Sequence, residues 1–382
     1  MTGTVPPRPR VSLGGNHRVM HPSQDRGAAL YMVGPSSVAQ WFGYFADLGP
    51  GDCVLPVGER GDESASRLVA RLLAAMPGSF EYATLISSHI TLERDIVVAG
   101  FLSEHRIKVS AQSARCAALG LDKVLMKGFL ERADVPTLPW MAAGASDAQR
   151  RAFEEHGEAV VVKDRFGTEG KGQLLVERGA LAIDPTVYHE RYCDGDEYSV
   201  NVVVEDGYWA TLPVVWKGPT RRDLLPPYKR LRVCPAPMVS PALDHAMREC
   251  ALRIARLAAC SGMMEVEFLV ADETTWYVLE INPRVAGTMR MAALAAQVPL
   301  FRLPIDRSPA GHLQATQLAV EVPHAGQSFS DPTNGIFCTS RLTVGAQTLG
   351  AIAVKLERLE AEGMVLWPSW RDAIQALARS AE

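Results

Sequence analysis

Ala28 to Val33 is a short apolar run ending in Gly34-Pro35-Ser36-Ser37, the pattern of a buried strand feeding a turn. Cys53 to Val57 and Tyr82 to Ser87 repeat it, and Ser64 to Met76 and Ile90 to Ser103 show helical spacing between or after them. Strands alternating with helices predict a parallel α/β unit over about 28–115. Ala114 to Ala133 reads as one long amphipathic helix ended by Val135-Pro136, and Ser146 to His156 as a second. Ala159 to Lys163 is a β-branched strand, followed by a glycine-rich turn and a strand from Gln173 to Glu177. Thr186 to Cys193 and Tyr198 to Glu205 are predicted strands around Asp194-Gly195-Asp196. Asp206-Gly207 signals a tight hairpin before Trp209 to Trp216.

Residues 217–237, rich in proline, glycine, arginine and lysine, predict a mobile loop. Asp244 to Cys260 reads as a helix, and Glu265 to Ala271 with Trp276 to Ile281 as an antiparallel hairpin. Val285 to Gln297 reads as a helix, with Pro299 beyond it. The remainder, 306–382, reads as short strands and a terminal helix from Trp370 to Ala378.

With 382 residues, 47% hydrophobic and 21% charged, the chain can build a core without staples, and two to three domains are expected. A net charge of −4 excludes the basic footprint of nucleic-acid binding. The seven cysteines are scattered and form no CxxC pair, which argues against a disulfide framework or a zinc site and fits a reducing compartment. Residues 1–27 are rich in Pro, Gly and Arg and lack the apolar run of a secretory leader, so a disordered tail is expected. No stretch approaches the ~20 apolar residues of a membrane span, and a cytoplasmic protein is expected.

The most informative chemistry lies in Glu265-Val266-Glu267 and Glu280-Ile281-Asn282-Pro283-Arg284. A tight turn centred on Glu273-Thr274 places Glu267 opposite Glu280 and Glu265 opposite Asn282, all on one face. Facing carboxylates repel, and a cation reverses that penalty. Two carboxylates and a carboxamide oxygen suit Mg²⁺. A solvated acidic face is the bland alternative.

Lys163 leads into Asp164-Arg165-Phe166-Gly167-Thr168-Glu169-Gly170-Lys171-Gly172, where glycines let backbone N–H groups approach phosphate. The loop is neither a Walker P-loop nor a GxGxxG turn, and a flexible hairpin loop would look the same. Glu190 and Glu197 are strand acids straddling a glycine turn, and acids are depleted in strands. Arg221, Arg222, Lys229, Arg230 and Arg232 form a basic run, read as solvated or as a clamp for a substrate carboxylate.

Together, in this order, these segments resemble the ATP-grasp superfamily of carboxylate–amine ligases, and Glu280 to Arg284 looks most like its carbamoyl-phosphate-synthetase-like branch. The resemblance runs from about Lys123 to Pro299. It implies an α/β (α+β) ATP-grasp fold with an N-terminal parallel α/β domain at 28–115. A small subdomain with the phosphate loop then falls at 116–189, a large subdomain with the metal site at 190–305, and a C-terminal extension at 306–382. By resemblance, Lys123 and Lys163 hold ATP phosphates, and Gly167, Gly170 and Gly172 form the loop that closes over them. Glu190, Arg191, Tyr192 and Cys193 form the adenine hinge, and Glu197 is the ribose ligand. Glu267, Glu280 and Asn282 are the magnesium ligands, for two ions, with Mn²⁺ as a substitute. Arg284 steadies an acyl phosphate, and Glu265 is a guess for the group that takes the nucleophile's proton.

The implied function is an ATP-dependent, ADP-forming ligase that joins a small-molecule carboxylate to an amine, with a homodimer common in the family. A bicarbonate-using carboxylase or carbamoyl-phosphate-type enzyme is the alternative within enzymes. A non-catalytic nucleotide-binding regulator is the contrasting class. Glu265 itself departs from the family, where many relatives carry a basic or amide residue.

Overall fold

The computed structural model describes residues 28–33, 52–56, 64–75, 80–155, 159–168, 170–177, 184–226, 229–325, 330–331, 334–338 and 341–380. The tail expected at 1–27 lies outside them. The first unit is a parallel four-stranded sheet in the order β2-β1-β3-β4. Its strands are β1 (Ala29–Val33), β2 (Cys53–Pro56), β3 (Tyr82–Ile86) and β4 (Lys108–Ser110), with helices α1 (Ala65–Ala75) and α2 (Leu92–Glu104). Leu30, Met32 and Leu85 face Leu68, Val98 and Leu102 on one side. The other side carries Ala29 and Tyr31 into a different cluster that includes Phe301. Parallel sheets are covered on both faces, which is why these strands are apolar almost throughout.

The predicted long helix is two: α3 (Ala114–Leu121) and α4 (Lys123–Arg132). Asp122 breaks it, because its backbone is extended and its carboxylate accepts hydrogen bonds from the Val124 and Leu125 amides. A capping aspartate starts a helix more readily than it continues one. A second sheet follows, antiparallel and ordered β5-β8-β6-β7. It consists of β5 (Trp140–Ala142), β6 (Ala159–Asp164), β7 (Leu174–Glu177) and β8 (Val187–Arg191). Helix α5 (Asp147–Glu155) packs on it through Phe153, against Met141 and Val160.

The third sheet has twelve strands, with the main path β14-β13-β9-β11-β12-β16-β19-β18-β17. In chain order these begin with β9 (Asp196–Glu205), β10 (Tyr208–Thr211), β11 (Val215–Pro219), β12 (Arg232–Cys234), β13 (Gly262–Val270) and β14 (Trp276–Asn282). They continue with β15 (Gly311–His312), β16 (Leu318–Ala325), β17 (Ser330–Asp331), β18 (Ile336–Cys338), β19 (Arg341–Ala346) and β20 (Val365–Leu366). The predicted Asp206-Gly207 turn is present: both residues have positive φ, 43° and 81°, and β9 pairs back onto β10. The single strand expected over Trp209 to Trp216 is interrupted at Leu212-Pro213-Val214, where proline has no N–H for a ladder.

Helix α6 (Pro241–Leu257) packs on one face of this sheet with Val200, Val202, Met264 and Val266. Helix α7 (Gly287–Ala296) lies on the other, with Val203, Ala210 and Val215. The short α8 (Leu303–Asp306) follows. In the C-terminal region, α9 (Leu349–Ala361) was not expected, although Ile352, Leu356 and Leu359 form its buried stripe and Thr348 caps it. Together with α10 (Trp370–Ser380), α9 packs against β16 and β19. The segment 217–237 is not one mobile loop: β11 and β12 frame it, and Lys217, Arg230, Leu231, Arg232 and Val233 are buried.

Candidate active site

The predicted hairpin forms, and its register at the acids is the expected one: Glu267 opposes Glu280 and Glu265 opposes Asn282. The turn is different. Ala271 N–H donates to the Thr275 carbonyl, and Asp272 accepts from the Thr274 and Thr275 amides. This longer turn displaces the pairing by one residue, and a bulge at Leu279 restores it.

The face so formed is knit together. Asn282 Nδ2 donates to Glu265 Oε2 and Glu267 Oε1, both at 3.1 Å. Its Oδ1 accepts a long 3.4 Å contact from Arg284. Lys123, the first residue of α4, pairs with Glu280, and Lys217 of β11 pairs with Glu267. Helix α3 settles onto Pro283 only because residue 120 is glycine: a Cβ there would lie 2.2 Å from Pro283 Cδ.

Glu265 is buried and accepts from the Thr288 hydroxyl. Burial pushes its carboxyl up, but Lys217, Thr288 and Arg284 outweigh that and hold it below the ordinary range. A carboxylate so held, with both oxygens already accepting, is a weak proton acceptor. Glu265 thus touches Asn282 and Thr288 and lies within electrostatic range of Lys217 and Arg284.

On the small sheet, Lys163 of β6 donates to Glu190 Oε1 at 3.1 Å, and Lys127 of α4 lies 2.9 Å from Glu190 Oε2. Lys127 also donates to the Thr137 hydroxyl at 2.7 Å. Burial pushes the Glu190 carboxyl up, and the two lysines bring it below its ordinary value. The Glu190 side chain is thus the counter-ion of a lysine pair. The backbone amides of Arg191 and Tyr192 are already spent on the Pro139 and Ala159 carbonyls. The expected hinge residues Tyr192 and Cys193, with Asp194, cross to the large sheet as irregular backbone. Glu197, at the start of β9, accepts from Arg230 at 2.8 Å.

The glycine loop joins β6 to β7 as a hairpin. Gly170 and Gly172 have φ of 67° and 71°, which side-chain-bearing residues rarely adopt. Arg165 ties the loop to α4: its guanidinium grips both Asp122 oxygens at 2.9 and 2.6 Å, and its carbonyl accepts from the Lys123 amide at 3.0 Å. Gly167 sits just beyond, at the foot of the loop.

The basic run divides. Arg221 pairs with Asp223 at the surface, and Arg222 stacks over Tyr192 at 5.5 Å. Arg230 and Arg232 are buried and paired with Glu197 and Glu321, so the run as a whole does not form one clamp.

The first unit closes the site. The carboxyl ends of β3 and β4 reach Arg284, with a small cavity lined by Ser87, Ser110, Gln112, Met263 and Arg284. Half-buried His89 lies within electrostatic range of Arg284 and Lys123, and burial first, then these two cations, hold its pKa below the ordinary imidazole value. Lys127, Lys217, Arg165 and His89 were not found from the sequence. Each is an ordinary residue in its local pattern, and only the fold brings its partner near.

Residues 121–288 match an ATP-grasp domain family. Over 196 residues the chain is 25% identical to a carbamoyl-phosphate synthase of Methanobrevibacter smithii, covering 49% of this chain and 52% of that one. Over 212 residues it is 27% identical to a D-alanine–D-alanine ligase of Alcanivorax borkumensis, covering 52% and 66%. The chain therefore spans about half to two thirds of the length of these curated relatives. Among solved structures, a biotin carboxylase from Campylobacter jejuni aligns with TM-score 0.64 at 17% identity over 89% of this chain and 92% of that one. An N5-carboxyaminoimidazole synthetase from Staphylococcus aureus, complexed with ADP, aligns with TM-score 0.64 at 16% identity over 87% and 96%. The fold is that of these proteins.

Proposed function

We propose, from the premise that the chain carries an ATP-grasp domain, that it is an ATP- and Mg²⁺-dependent ligase. It activates a carboxylate as an acyl phosphate and joins it to an amine, releasing ADP and phosphate. The observation that supports this best is the acid face of Glu267, Glu280 and Asn282, flanked by Lys123, Lys217 and Arg284. Its donors are hard oxygens suited to Mg²⁺, and each carboxylate already stands against an ammonium group, a position where positive charge is favoured. Bound there, Mg²⁺ would neutralise phosphate charge and orient the terminal phosphoryl group.

The protein groups do the rest. Lys163 presents its ammonium at the end of β6, beside the glycine loop, and Lys123 reaches the acid face from α4, so the two would hold the phosphates of bound ATP by their charge. Arg284 faces the reacting carboxylate. Glu197 and the Tyr192–Cys193 crossing remain our assignment for the ribose and adenine. In place of Glu265 we assign the amine's proton to His89: burial and the nearby cations keep its imidazole neutral, so a ring nitrogen is available as an acceptor, and its ordinary basicity exceeds that of a carboxylate.

The test is product analysis over pools of small acids and amines, with ADP and orthophosphate expected. His89→Ala should lower kcat/KM for the amine about 100-fold or more and remove its rise with pH near the imidazole pKa. An unchanged pH profile overturns that role.

The second reading is a bicarbonate-using enzyme. It is favoured by the extent of the fold likeness to a biotin carboxylase, which includes the C-terminal region. Incorporation of labelled bicarbonate in the absence of any added acid would select it.

A further inference from the structure

Helix α6 carries His245 and Glu249 four residues apart, so the two stand one turn apart on one side of the helix. His312, on the two-residue strand β15, comes to meet them. Its Nε2 lies 2.8 Å from Glu249 Oε1, and its ring centre stands 5.5 Å from that of His245, the rings at 89°. One ligand atom from each of the three side chains lies within 4.8 Å of the other two.

The register explains why they converge. Val202 of β9 pairs with Thr211 of β10, and Thr211 pairs with His312 of β15. Residues directly opposite across strands share a face, and Val202 packs against α6. His312 is thereby on the α6 side of the large sheet. The acid face is on the other side, because Glu265 and Glu267 alternate with Met264 and Val266, which pack toward α6. The sheet thus stands between the three residues and the acid face.

The His312 ring is held from behind. Its Nδ1 meets the hydroxyl of the fully buried Thr211 at 2.7 Å, and Trp209 packs edge-on at 5.3 Å. The backbone around it is also tied down. The Leu313 amide donates to the Thr211 carbonyl at 2.9 Å, and Arg248 of α6 donates to the Leu313 carbonyl at 2.8 Å. The Tyr208 hydroxyl donates to the Pro309 carbonyl at 2.8 Å. A fixed polar partner on one ring nitrogen, with the other nitrogen turned toward a carboxylate, is the support that metal-bound imidazoles carry. With the proton on Nδ1, accepted by Thr211, the Nε2 lone pair and the Glu249 carboxylate point at one spot, and a cation there satisfies both.

The donors choose the ion. Two imidazole nitrogens and one carboxylate oxygen suit Zn²⁺ and its first-row neighbours, whereas Mg²⁺ and Ca²⁺ take oxygen. Ligand atoms about 2.1 Å from a tetrahedral ion stand about 3.4 Å apart, and the exposed His245 side chain has the freedom to turn in to that spacing.

We infer that His245, Glu249 and His312 bind one transition-metal ion of the Zn²⁺ class, on the side of the large sheet opposite the acid face. The ion fastens α6 to β15 and keeps a fourth position for water. It is separate from the Mg²⁺ proposed for the acid face, and its existence does not rest on the ligase proposal.

The test reads binding rather than turnover, so that it can fail independently of the ligase proposal. Metal-free protein, purified without a polyhistidine tag, is saturated with Mg²⁺ to fill all-oxygen sites and titrated with Zn²⁺ by calorimetry. A saturable site at one Zn²⁺ per chain is expected. His245→Ala and His312→Ala should each weaken it at least about 10-fold, as loss of a ligand costs no less than loss of a ligand's support. If His312→Ala does not fold, His245→Ala decides, since that side chain is exposed. His105→Ala, an exposed histidine on another element, should leave the affinity unchanged. Zn²⁺ should raise the Tm of the wild type and raise that of His245→Ala less. Wild-type protein with no saturable Zn²⁺ site, or His245→Ala protein that binds as tightly as wild type, overturns the inference. So does His105→Ala protein weakened as much as His245→Ala, because the metal then sits on surface histidines at large.

Discussion

Lys127 Nζ lies 2.9 Å from Glu190 Oε2, with both side chains removed from solvent. Burial pushes the lysine down, and Glu190 opposes that. A buried pair contributes little net stability compared with an apolar pair, but breaking it is costly. Lys127→Met should therefore destabilise the protein by about 3–5 kcal/mol in denaturant unfolding. The loss should exceed that from Lys163→Met, since Lys163 keeps more solvent contact. A Lys127→Met, Lys163→Met, Glu190→Leu triple variant should recover part of it, because no member of the trio is then left without its counter-ion.

Glu280 faces Glu267 across the hairpin and is held by Lys123. Glu280→Ala should abolish turnover while leaving circular dichroism and oligomeric state unchanged. Its side chain is only partly buried, so the fold does not depend on it. Mg²⁺ titration in the presence of ADP should show weakened metal binding. A folded Glu280→Ala protein with near-normal activity would remove the metal assignment.

Much of this site could be read from the chain, and the hairpin shows how narrowly. The acids pair as expected, yet the turn assumed for them is wrong. The longer turn at Ala271–Thr275 and the bulge at Leu279 each displace the register by one residue, in opposite senses. Alternation along a strand survives such a double shift, so the face was legible while the turn was not. The parallel first unit was legible because buried parallel strands are continuous apolar runs. The break at Asp122 was hidden in the middle of a helical pattern, and α9 in a region read as strands. Lys127, Lys217 and Arg232 were illegible for another reason. A cation in an amphipathic pattern looks solvated until its distant partner is known, and these partners lie on other strands.

Glu205, at the end of β9, supplies a pH dependence. Burial is the main cause that raises its carboxyl to about 7; Asp206 adds to this, and the Ser110 hydroxyl opposes it. Its folded value is above the unfolded value of about 4.3, so the native state binds the proton more tightly. The resulting stability is full below about pH 4 and is lost as pH rises to about 7, a change on the order of 3 kcal/mol. Glu205→Gln should flatten the unfolding free energy over that window relative to wild type and be the more stable of the two at pH 8. Parallel pH profiles for the two proteins would contradict the assignment.

Arg284 follows Asn282 by two residues, and its guanidinium reaches back toward the Asn282 carboxamide oxygen. It therefore stands at the edge of the acid face, on the side where the carboxyl ends of β3 and β4 arrive. A carboxylate attacking a terminal phosphoryl group would meet cationic groups on both flanks there, Arg284 on one and Lys123 on the other. Such an arrangement favours cleavage at the terminal phosphate, so ADP and orthophosphate are expected in equal amounts with product. A guanidinium that matters once the phosphoryl group is moving stabilises the transition state more than bound ATP. Arg284→Ala should thus lower kcat by about 100-fold or more and leave ATP affinity within a few-fold of wild type. Arg284→Lys should recover only part of the loss, since an ammonium cannot reproduce the planar fork. Stoichiometric AMP and pyrophosphate would refute the reaction type. A loss of ATP affinity equal to the loss of kcat/KM would instead make Arg284 a nucleotide-binding group.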